Sequence, residues 1–272
     1  SLIGDKVKTS YNDPWNVFTG RNILTDNVGN TYENAYSLYA SGSASPEEIT
    51  YILNGEYSSL YLVDVICHGI PAVSSWETYL ALQEKRYGSR VKEVRFRDKT
   101  KGWHSSSMKL GFENGKEYCE PITADAYFRG FLGNVTLKAS CYECAFRSGK
   151  SGADLTLGDF WGAETVLPDM DDNKGLSAVL VHTEKGEALL KSACVEKRNV
   201  PYELILRGNR NLEQSPLVSP KRALYYACAE KAGEVAAMER FLFESAAQRC
   251  RRKLRYLLRR LKHAVTGEKT LY

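Results

Sequence analysis

Residues 141–162, with the sequence CYECAFRSGKSGADLTLGDFWG, are the stretch around which the chain is organised. Cys141 and Cys144 are separated by two residues, a spacing that lets both sulfurs point at one metal ion or one iron–sulfur cluster. A CxxC pair alone is a weak signal, because a closed metal site needs about four ligands. The alternative interpretation is a buried pair of small apolar thiols.

A basic, glycine-containing loop at residues 147–152 follows the two cysteines. Such a loop can offer backbone N–H groups and positive charge to a phosphate group. The next residues, ADLTLGDF, predict a short strand. Glycines beside an aspartate and a tryptophan at its end allow a planar ligand to approach the backbone closely, and these residues are Gly158, Asp159, Trp161 and Gly162.

A second candidate segment is SLYLVDVI, residues 59–66, whose β-branched run predicts a buried, parallel strand. It leads to Cys67, His68 and Gly69, and in open α/β sheets ligands collect at the C-terminal end of the strands. Cys67 therefore joins the CxxC pair as a third candidate ligand. The competing hypothesis is a zinc site, made of the three cysteines with His68 or His104.

Cationic residues near these motifs are candidates to hold an anionic ligand such as a dinucleotide pyrophosphate. The main ones are Arg97, Lys99 and Lys138, together with the basic loop. The alternative for each of them is a solvated, charged surface. The chain has no GxGxxG or GxxxxGK[ST] motif, so a standard Rossmann fingerprint or P-loop is unsupported.

The remaining patterns predict an α/β or α+β fold, in which a mixed β-sheet is flanked by helices and the C-terminus is helical and basic. Alternating residues at 91–99 and 106–112 and the turn signal Asn114-Gly115 predict strands and a hairpin. Other predicted elements are helices at 46–53, 74–87, 123–132 and 184–193, strands at 177–183 and 201–206, and helix from 221 onward. The predicted divisions are an N-terminal segment at 1–45, interpreted as a truncated lobe, a main domain at 46–218, and a C-terminal helical region at 219–272.

Composition and charge narrow the function classes. The 272 residues are 43% hydrophobic and 26% charged, as in ordinary globular proteins, and no apolar run is long enough to span a membrane. Seven cysteines at irregular spacings argue against a disulfide scaffold and for a reducing compartment. We therefore expect a cytoplasmic protein.

The C-terminal tail concentrates the positive charge. Residues 246–263 carry eight Lys or Arg and no acidic residue, interleaved with leucines. A basic amphipathic helix over 249–262 suits an acidic partner or an anionic membrane surface, which would place the protein peripherally at the inner membrane face. The alternative is a C-terminal helix docked by its leucines with a solvated basic side. Nucleic acid is disfavoured as a partner, because charge alone is poor support for it.

Five motifs in order resemble the C-terminal region of the coenzyme F-420 hydrogenase/dehydrogenase beta-subunit family, over about residues 45–215. They are DVICHGIP (64–71), VRFRDKTKGW (94–103), CYECAF (141–146), DLTLGDFWG (154–162) and DMDDNKGLSAVLVHT (169–183).

The resemblance implies an iron–sulfur flavoprotein, an oxidoreductase subunit that binds FAD and a four-iron cluster. Such a subunit passes electrons between a redox partner protein or ferredoxin and a deazaflavin or another acceptor. Many bacterial relatives lie among polysaccharide-synthesis genes, which implies a role in polysaccharide biosynthesis. Cys67, Cys141 and Cys144 match the family's cluster ligands. Charge and position within the motifs predict the FAD-binding residues, which are His68, Gly69, Arg97, Lys99, Lys138, Gly158, Asp159, Trp161 and Gly162.

The sequence departs from the family pattern before the strand at 59–66. The family usually has a GTPCQ-like motif there, whereas this chain has GSASP at 42–46, so Ser45 stands where the fourth cysteine is expected. No ferredoxin-type cysteine run is present at the N-terminus. The cluster would take serine or another group as its fourth ligand, be a labile three-cysteine site, or be absent. The rival hypothesis is a non-catalytic interaction module, zinc-bound or metal-free, that has lost the redox centre.

Overall fold

The computed structural model describes residues 21–25, 31–36, 61–193 and 195–252, together with residues 254 and 258. The predicted helix at 46–53 lies outside the described residues. The chain forms two compact units, of which unit 1 comprises Ser1–Val73 and Leu137–Leu217, and unit 2 comprises Ser74–Thr136 and Val218–Tyr272. The predicted divisions of the chain near residues 45 and 218 remain predictions.

The described residues form both strands and helices. In chain order they are β1 (Arg21–Thr25), β2 (Thr31–Tyr36), β3 (Val63–Val65), α1 (Val73–Tyr87), β4 (Val91–Asp98), β5 (Ser107–Phe112), β6 (Glu117–Pro121), α2 (Ala126–Leu132), β7 (Leu155–Asp159), α3 (Ala163–Val166), β8 (Ser177–Val181), α4 (Glu184–Ser192), α5 (Tyr202–Gly208), α6 (Pro220–Ala232) and α7 (Glu234–Phe241). Short 3-10 helices lie at Trp103–Ser105, Ala139–Glu143 and Arg210–Leu212.

Unit 1 contains a three-stranded mixed sheet with the order β3-β7-β8. β3 runs parallel to β7, with Val63 opposite Leu155 and Val65 opposite Leu157, and β8 pairs antiparallel with β7. The predicted mixed sheet and the predicted parallel pairing are therefore confirmed, although β3 is shorter than predicted. The predicted burial of this strand is wrong, because Val63 and Val65 are 47% and 61% exposed at the edge of the sheet. Because β3 and β7 point the same way, the residues that follow them leave the sheet at the same edge.

Helix α5 corrects one prediction. The sequence predicts a short strand at residues 201–206, but Tyr202–Gly208 are helical. A short apolar run cannot distinguish a strand from a buried helical segment, and here tertiary packing decides. In the helix, the buried Ile205 packs with Phe160, Ala163 and Ala178 in a small core.

Unit 2 contains the antiparallel sheet β4-β5-β6, as the alternating residues predict. Gly115, in the predicted hairpin turn, has φ +81°, a conformation that favours glycine. In the central strand β5, the side chains of Met108, Leu110 and Phe112 are fully buried. They form one core with residues of α1, α2, α6 and α7.

The helices after residue 219 agree with the prediction of a helical C-terminal region. Gly233, with φ +86°, separates α6 from α7, and residues 246–252 are also helical. The fold is thus of the mixed α/β class, with small sheets flanked by helices. Within the part of the chain that the structure describes, no helix has the length and apolar character needed to cross a membrane.

Candidate functional site

The loop after β3 carries Cys67 and is fixed in place by its backbone. Gly69 has φ +152°, and a Cβ there would lie 2.9 Å from Leu137 Cδ1, so no larger residue fits without displacing that side chain. The Lys138 N–H donates to the Ile70 carbonyl at 2.7 Å, and Leu137 forms a β-bridge with Pro71. These contacts bind the Cys67 loop to the segment that leads into the CxxC pair.

The CxxC pair lies at the end of this same segment. Cys141 belongs to the 3-10 helix Ala139–Glu143, and its Sγ accepts a hydrogen bond from the Ile70 N–H at 3.3 Å. The Cys144 N–H donates to Ser215 Oγ at 3.1 Å. Cys67, Cys141 and Cys144 are all free, half-buried thiols.

The electrostatic surroundings of the Cys67 thiol include the other two thiols. Burial raises the pKa of the Cys67 thiol above its usual value, and the neighbouring Cys141 and Cys144 act in the same direction. Arg147 and a hydrogen bond from the Gly69 backbone oppose this effect. The structure therefore brings the three predicted ligands into one neighbourhood, although Cys67 comes from a distant part of the sequence.

This neighbourhood is not a formed metal cage. Among the described residues, no group of three or more His, Cys, Asp or Glu side chains is arranged to hold a metal ion. Ser45, the candidate fourth ligand, lies outside the described residues, and His104 belongs to unit 2. Ligation of a cluster or a zinc ion by the three cysteines therefore stays a prediction.

Arg147 is the cation of the site. Its Nη1 donates to the Cys67 carbonyl at 2.6 Å and also to the Asn211 carbonyl. Its Nε is buried and has no hydrogen-bond partner among the described residues. The guanidinium group thus joins the Cys67 loop to the basic loop and adds positive charge beside the Cys67 thiol.

His68 is held by a side chain that the sequence analysis did not single out. Its Nδ1 lies 3.1 Å from Asn211 Nδ2. An amide nitrogen can only donate, so Nδ1 is the acceptor and the ring is the tautomer protonated at Nε2. With Nδ1 engaged in this way, Nδ1 is not available as a zinc ligand.

The end of β7 contains a packed glycine, and the turn after it carries an accessible ring. A Cβ on Gly158 would lie 2.5 Å from Ile66 Cδ1, so the packing of the β3 segment accounts for this glycine. The indole of Trp161 is 41% exposed, and Gly162, with φ +92°, begins α3. Asp159 is half-buried, and its carbonyl accepts a hydrogen bond from Asn209 Nδ2 at 3.0 Å.

The predicted flavin residues divide between the two units. Arg97 and Lys99 belong to unit 2, where they lie 5.3 Å and 4.6 Å from the ring centroid of the buried Trp103. Lys138 is exposed in unit 1. His68, Gly69 and the turn after β7 also belong to unit 1.

Residues 49–201 match the sequence model of one protein family. That family is described as the C terminus of the beta subunit of coenzyme F420 hydrogenase/dehydrogenase. This match covers more than half of the chain. The chain belongs to this family. The resemblance that the five motifs indicate is therefore confirmed. No curated protein sequence matches the chain.

The F420 hydrogenase/dehydrogenase beta-subunit match ends before a segment that touches the site. Residues 209–215, called the strap below, follow α5 and include the 3-10 helix Arg210–Leu212. Sequence reasoning missed the strap, although its run of amide and hydroxyl side chains, NRNLEQS, is a composition that often bonds to loop backbone. Its members that contact the site through side chains are Asn209, Asn211 and Ser215.

Burial disfavours the thiolate of Cys67, and two features of the site act against this effect. Two of the three thiols accept hydrogen bonds from backbone N–H groups, those of Cys67 and Cys141. Hydrogen bonds to sulfur and a nearby cation stabilise thiolates and the anionic centres that thiolates bind. Cysteine is a residue type that binds thiophilic metals, and ligation by these three cysteines stays a prediction.

Proposed function

We propose that the chain is an electron-transfer subunit of an oxidoreductase, in which Cys67, Cys141 and Cys144 hold a four-iron cluster and FAD binds nearby. Membership of the F420 hydrogenase/dehydrogenase beta-subunit family supports an oxidoreductase-type subunit. The observation that carries the proposal is the convergence of three half-buried thiols from two loops beside Arg147.

The residues present fit the sulfur side of an iron–sulfur site. Cys67, Cys141 and Cys144 would be ligands, with Ser45 or another group as the fourth. The Gly69 and Ile70 N–H groups would donate to the ligand sulfurs, and Arg147 would offset the negative charge of the site. A cluster held there supplies one-electron transfer, and hydrogen bonds to its sulfurs tune its potential.

FAD binding is a second and more specific part of the proposal. The exposed indole of Trp161 and the turn to Gly162 offer a surface for a planar ring, and the exposed ammonium of Lys138 offers charge for the pyrophosphate. His68, Gly69, Gly158 and Asp159, which also belong to unit 1, complete this set, whereas Arg97 and Lys99 of unit 2 remain flavin candidates from the sequence alone. FAD supplies exchange of one or two electrons.

The partner and pathway follow from the same proposal. A beta subunit implies other subunits, so we infer a redox partner protein or ferredoxin as donor, and a deazaflavin or another small molecule as acceptor. We further propose a cytoplasmic role in polysaccharide biosynthesis. The basic residues at 249–262 would bind an acidic partner or the inner membrane face.

The alternative function is a non-catalytic interaction module that is zinc-bound or metal-free. The replacement of the family's usual fourth cysteine by Ser45 favours it. The complete CHG, CxxC and GDFWG motifs argue against it, since drift in a redundant centre would erode them as well.

The test is an absorption spectrum of anaerobically purified protein, with iron, acid-labile sulfide, zinc and flavin measured on the same sample. Iron, sulfide and flavin with broad visible absorption support the redox function, and Cys141→Ser should then lose iron. Cys119→Ser is the matched control, because Cys119 is an exposed thiol in unit 2. A colourless protein that carries zinc, or no metal and no flavin, would reject the redox function in favour of the module.

A further inference from the structure

The strap, residues 209–215, contacts the loops that carry the predicted ligands. Cys144 donates its N–H to Ser215 Oγ at 3.1 Å. The basic loop is bonded at Ser148, whose N–H donates to the Leu212 carbonyl at 2.8 Å. The Ser148 hydroxyl also donates to the Glu213 carbonyl at 3.4 Å, so the strap fixes the residues from Cys144 to Ser148 by several hydrogen bonds.

The same strap also reaches the Cys67 loop. Asn211 Nδ2 donates to His68 Nδ1 at 3.1 Å, next to Cys67 in the chain. The Asn211 carbonyl accepts from Arg147, which donates from the same nitrogen to the Cys67 carbonyl. One residue of the strap is thus bonded, directly or through Arg147, to both loops that bring thiols to the site.

The beginning of the strap is attached to the turn after β7. Asn209 is buried, and its Nδ2 donates to the Asp159 carbonyl at 3.0 Å. The residue before it, Gly208, lies so close to Trp161 that a Cβ there would overlap the Trp161 carbonyl oxygen. Within unit 1, the strap consequently bonds to the Cys67 loop, the CxxC pair, the basic loop at residues 147–152 and the turn after β7.

We propose that the strap is the positioning element of the cysteine site, with Asn211 and Ser215 as its positioning residues. They act on the thiols through the backbone of the two loops, without touching a ligand sulfur. This inference rests on the proposed function for its purpose, since a sulfur-ligated group needs the thiols held in one mutual arrangement. The strap itself lies beyond the residues that the family model matches.

The physical need for such an element is clear from the loops. Cys67 and Cys144 lie outside the described helices and strands, so ladder hydrogen bonds do not fix them. Cross-links from a third segment limit the conformations that the two loops can adopt. Residues that hold the ligands of a metal, without binding the metal themselves, typically lower its affinity by about 10- to 100-fold when they are removed.

The experiment measures the thiols of the full chain directly. Wild type, Asn211→Leu and Ser215→Ala are treated with chelator and reductant, and the alkylation rate of each cysteine is measured by mass spectrometry. Because one hydrogen bond is lost, we expect Cys144 in Ser215→Ala and Cys67 in Asn211→Leu to react roughly fivefold faster. Ser215→Thr should keep the wild-type rate, because it retains the hydroxyl.

Internal controls separate positioning from general destabilisation. The exposed Cys119, in unit 2, should react at the same rate in every variant, and Arg207→Ala, an exposed change in α5 before the strap, should leave all rates unchanged. Unchanged rates for Cys67 and Cys144 in both strap variants would overturn the proposal. A lower urea midpoint in the strap variants than in Arg207→Ala would also overturn it, because that result indicates loss of folding rather than of positioning.

A second measurement distinguishes this inference from the proposed function. Each protein is loaded anaerobically with iron and sulfide, and the rate of iron loss to a chelator is followed. We expect the strap variants to lose iron about 10- to 100-fold faster than wild type. If wild type binds no iron but the alkylation rates change as expected, the cluster proposal fails and the positioning role stands. If wild type binds iron and the variants release it at the same rate, the positioning role fails.

Discussion

The phenol of Tyr79 donates a 2.6 Å hydrogen bond to the carboxylate of Asp125, and neither side chain is accessible to solvent. Tyr118 donates to the same oxygen at 2.9 Å, and the Phe128 N–H donates to the other oxygen at 2.9 Å. Asp125 is therefore both the N-cap of α2 and the acceptor for two phenols in the core of unit 2.

Replacing Asp125 with alanine should strongly destabilise unit 2. The change leaves the buried phenol of Tyr79 and the half-buried phenol of Tyr118 without their acceptor and removes the helix cap, so we expect a loss of about 2–4 kcal/mol in the free energy of unfolding. Urea denaturation monitored by circular dichroism measures it. Asp172→Ala, which removes an exposed carboxylate paired with Lys174, is the control and should leave the midpoint unchanged. A similar midpoint for both variants would contradict the structural role.

Protonation of Asp125 should make the folding stability depend on pH. Burial raises the pKa of its carboxyl group in the folded protein, although four hydrogen bonds oppose this effect. The folded state thus holds the proton more tightly than the unfolded chain, whose pKa is about 3.9. The resulting stabilisation is complete below that value and is lost as pH rises through the folded pKa. Asp125→Asn should remove this loss, so its stability relative to wild type should increase with pH.

Asp154 in unit 1 should make the folding stability change with pH in the opposite direction. Its burial acts to raise the pKa, but hydrogen bonds from the Leu62 N–H, Thr183 and Lys185 lower the pKa overall. The stabilisation is present above the unfolded pKa and is lost as pH falls through the folded pKa. Asp154→Asn should therefore be destabilising near neutral pH and nearly neutral in acid. Parallel pH profiles for Asp125→Asn and Asp154→Asn would show that one of the two assignments is wrong.

Gln83 is an unfavourable residue in the core of unit 2. Its side chain is fully buried in α1, and both Oε1 and Nε2 lack a hydrogen-bond partner among the described residues. Gln83→Met has a similar shape without the polar atoms, so we expect a gain of about 1–2 kcal/mol in the free energy of unfolding. The exposed Gln214→Met is the control. A loss of stability in Gln83→Met would indicate that the amide is hydrogen-bonded in solution.

Much of the fold follows from local pattern, because strand alternation and turn chemistry are local properties. The residues at 91–112 and the turn at Gly115 predict the sheet of unit 2 correctly, since period-two alternation and an Asn-Gly turn have few other structural solutions. The strand predicted at 201–206 is wrong, because the helical state of this run depends on packing of Ile205 with residues distant in sequence.

The site could be predicted only in part, for the same reason. The CxxC spacing and the cysteine after β3 identify the thiols, and the parallel pairing of β3 with β7 places the loops after these strands at one sheet edge. The contribution of Asn211 is invisible in the sequence, because an asparagine's partners are set by tertiary structure alone. The role of Gly158 is also ambiguous there, since a glycine needed for ligand approach and one needed for packing look identical in sequence.

The role of Gly158 can be tested by a double-mutant cycle with Ile66. A Cβ at this position meets Ile66 side-chain atoms at 2.5 to 2.9 Å, so Gly158→Ala should cost about 1–3 kcal/mol. Ile66→Ala makes room, and the double variant should therefore be more stable than the sum of the two single changes predicts. Simple additivity would show that Ile66 is not what requires the glycine. Flavin content measured on the same four proteins then reveals whether Gly158 has a role in binding beyond packing.

Arg97→Ala tests the flavin assignment in unit 2. If Arg97 contacts FAD, its removal should lower the flavin retained after gel filtration by about tenfold, as expected for loss of a charge-assisted hydrogen bond. Arg95→Ala is the matched control, because Arg95 is on the same strand and is paired with Glu93 at 2.7 Å on the exposed surface. The cation–π contact of Arg97 with Trp103 predicts a small loss of stability as well, so melting temperature is measured in parallel. Equal flavin content in wild type and both variants would remove Arg97 from the proposed flavin site and leave it a role in packing against Trp103.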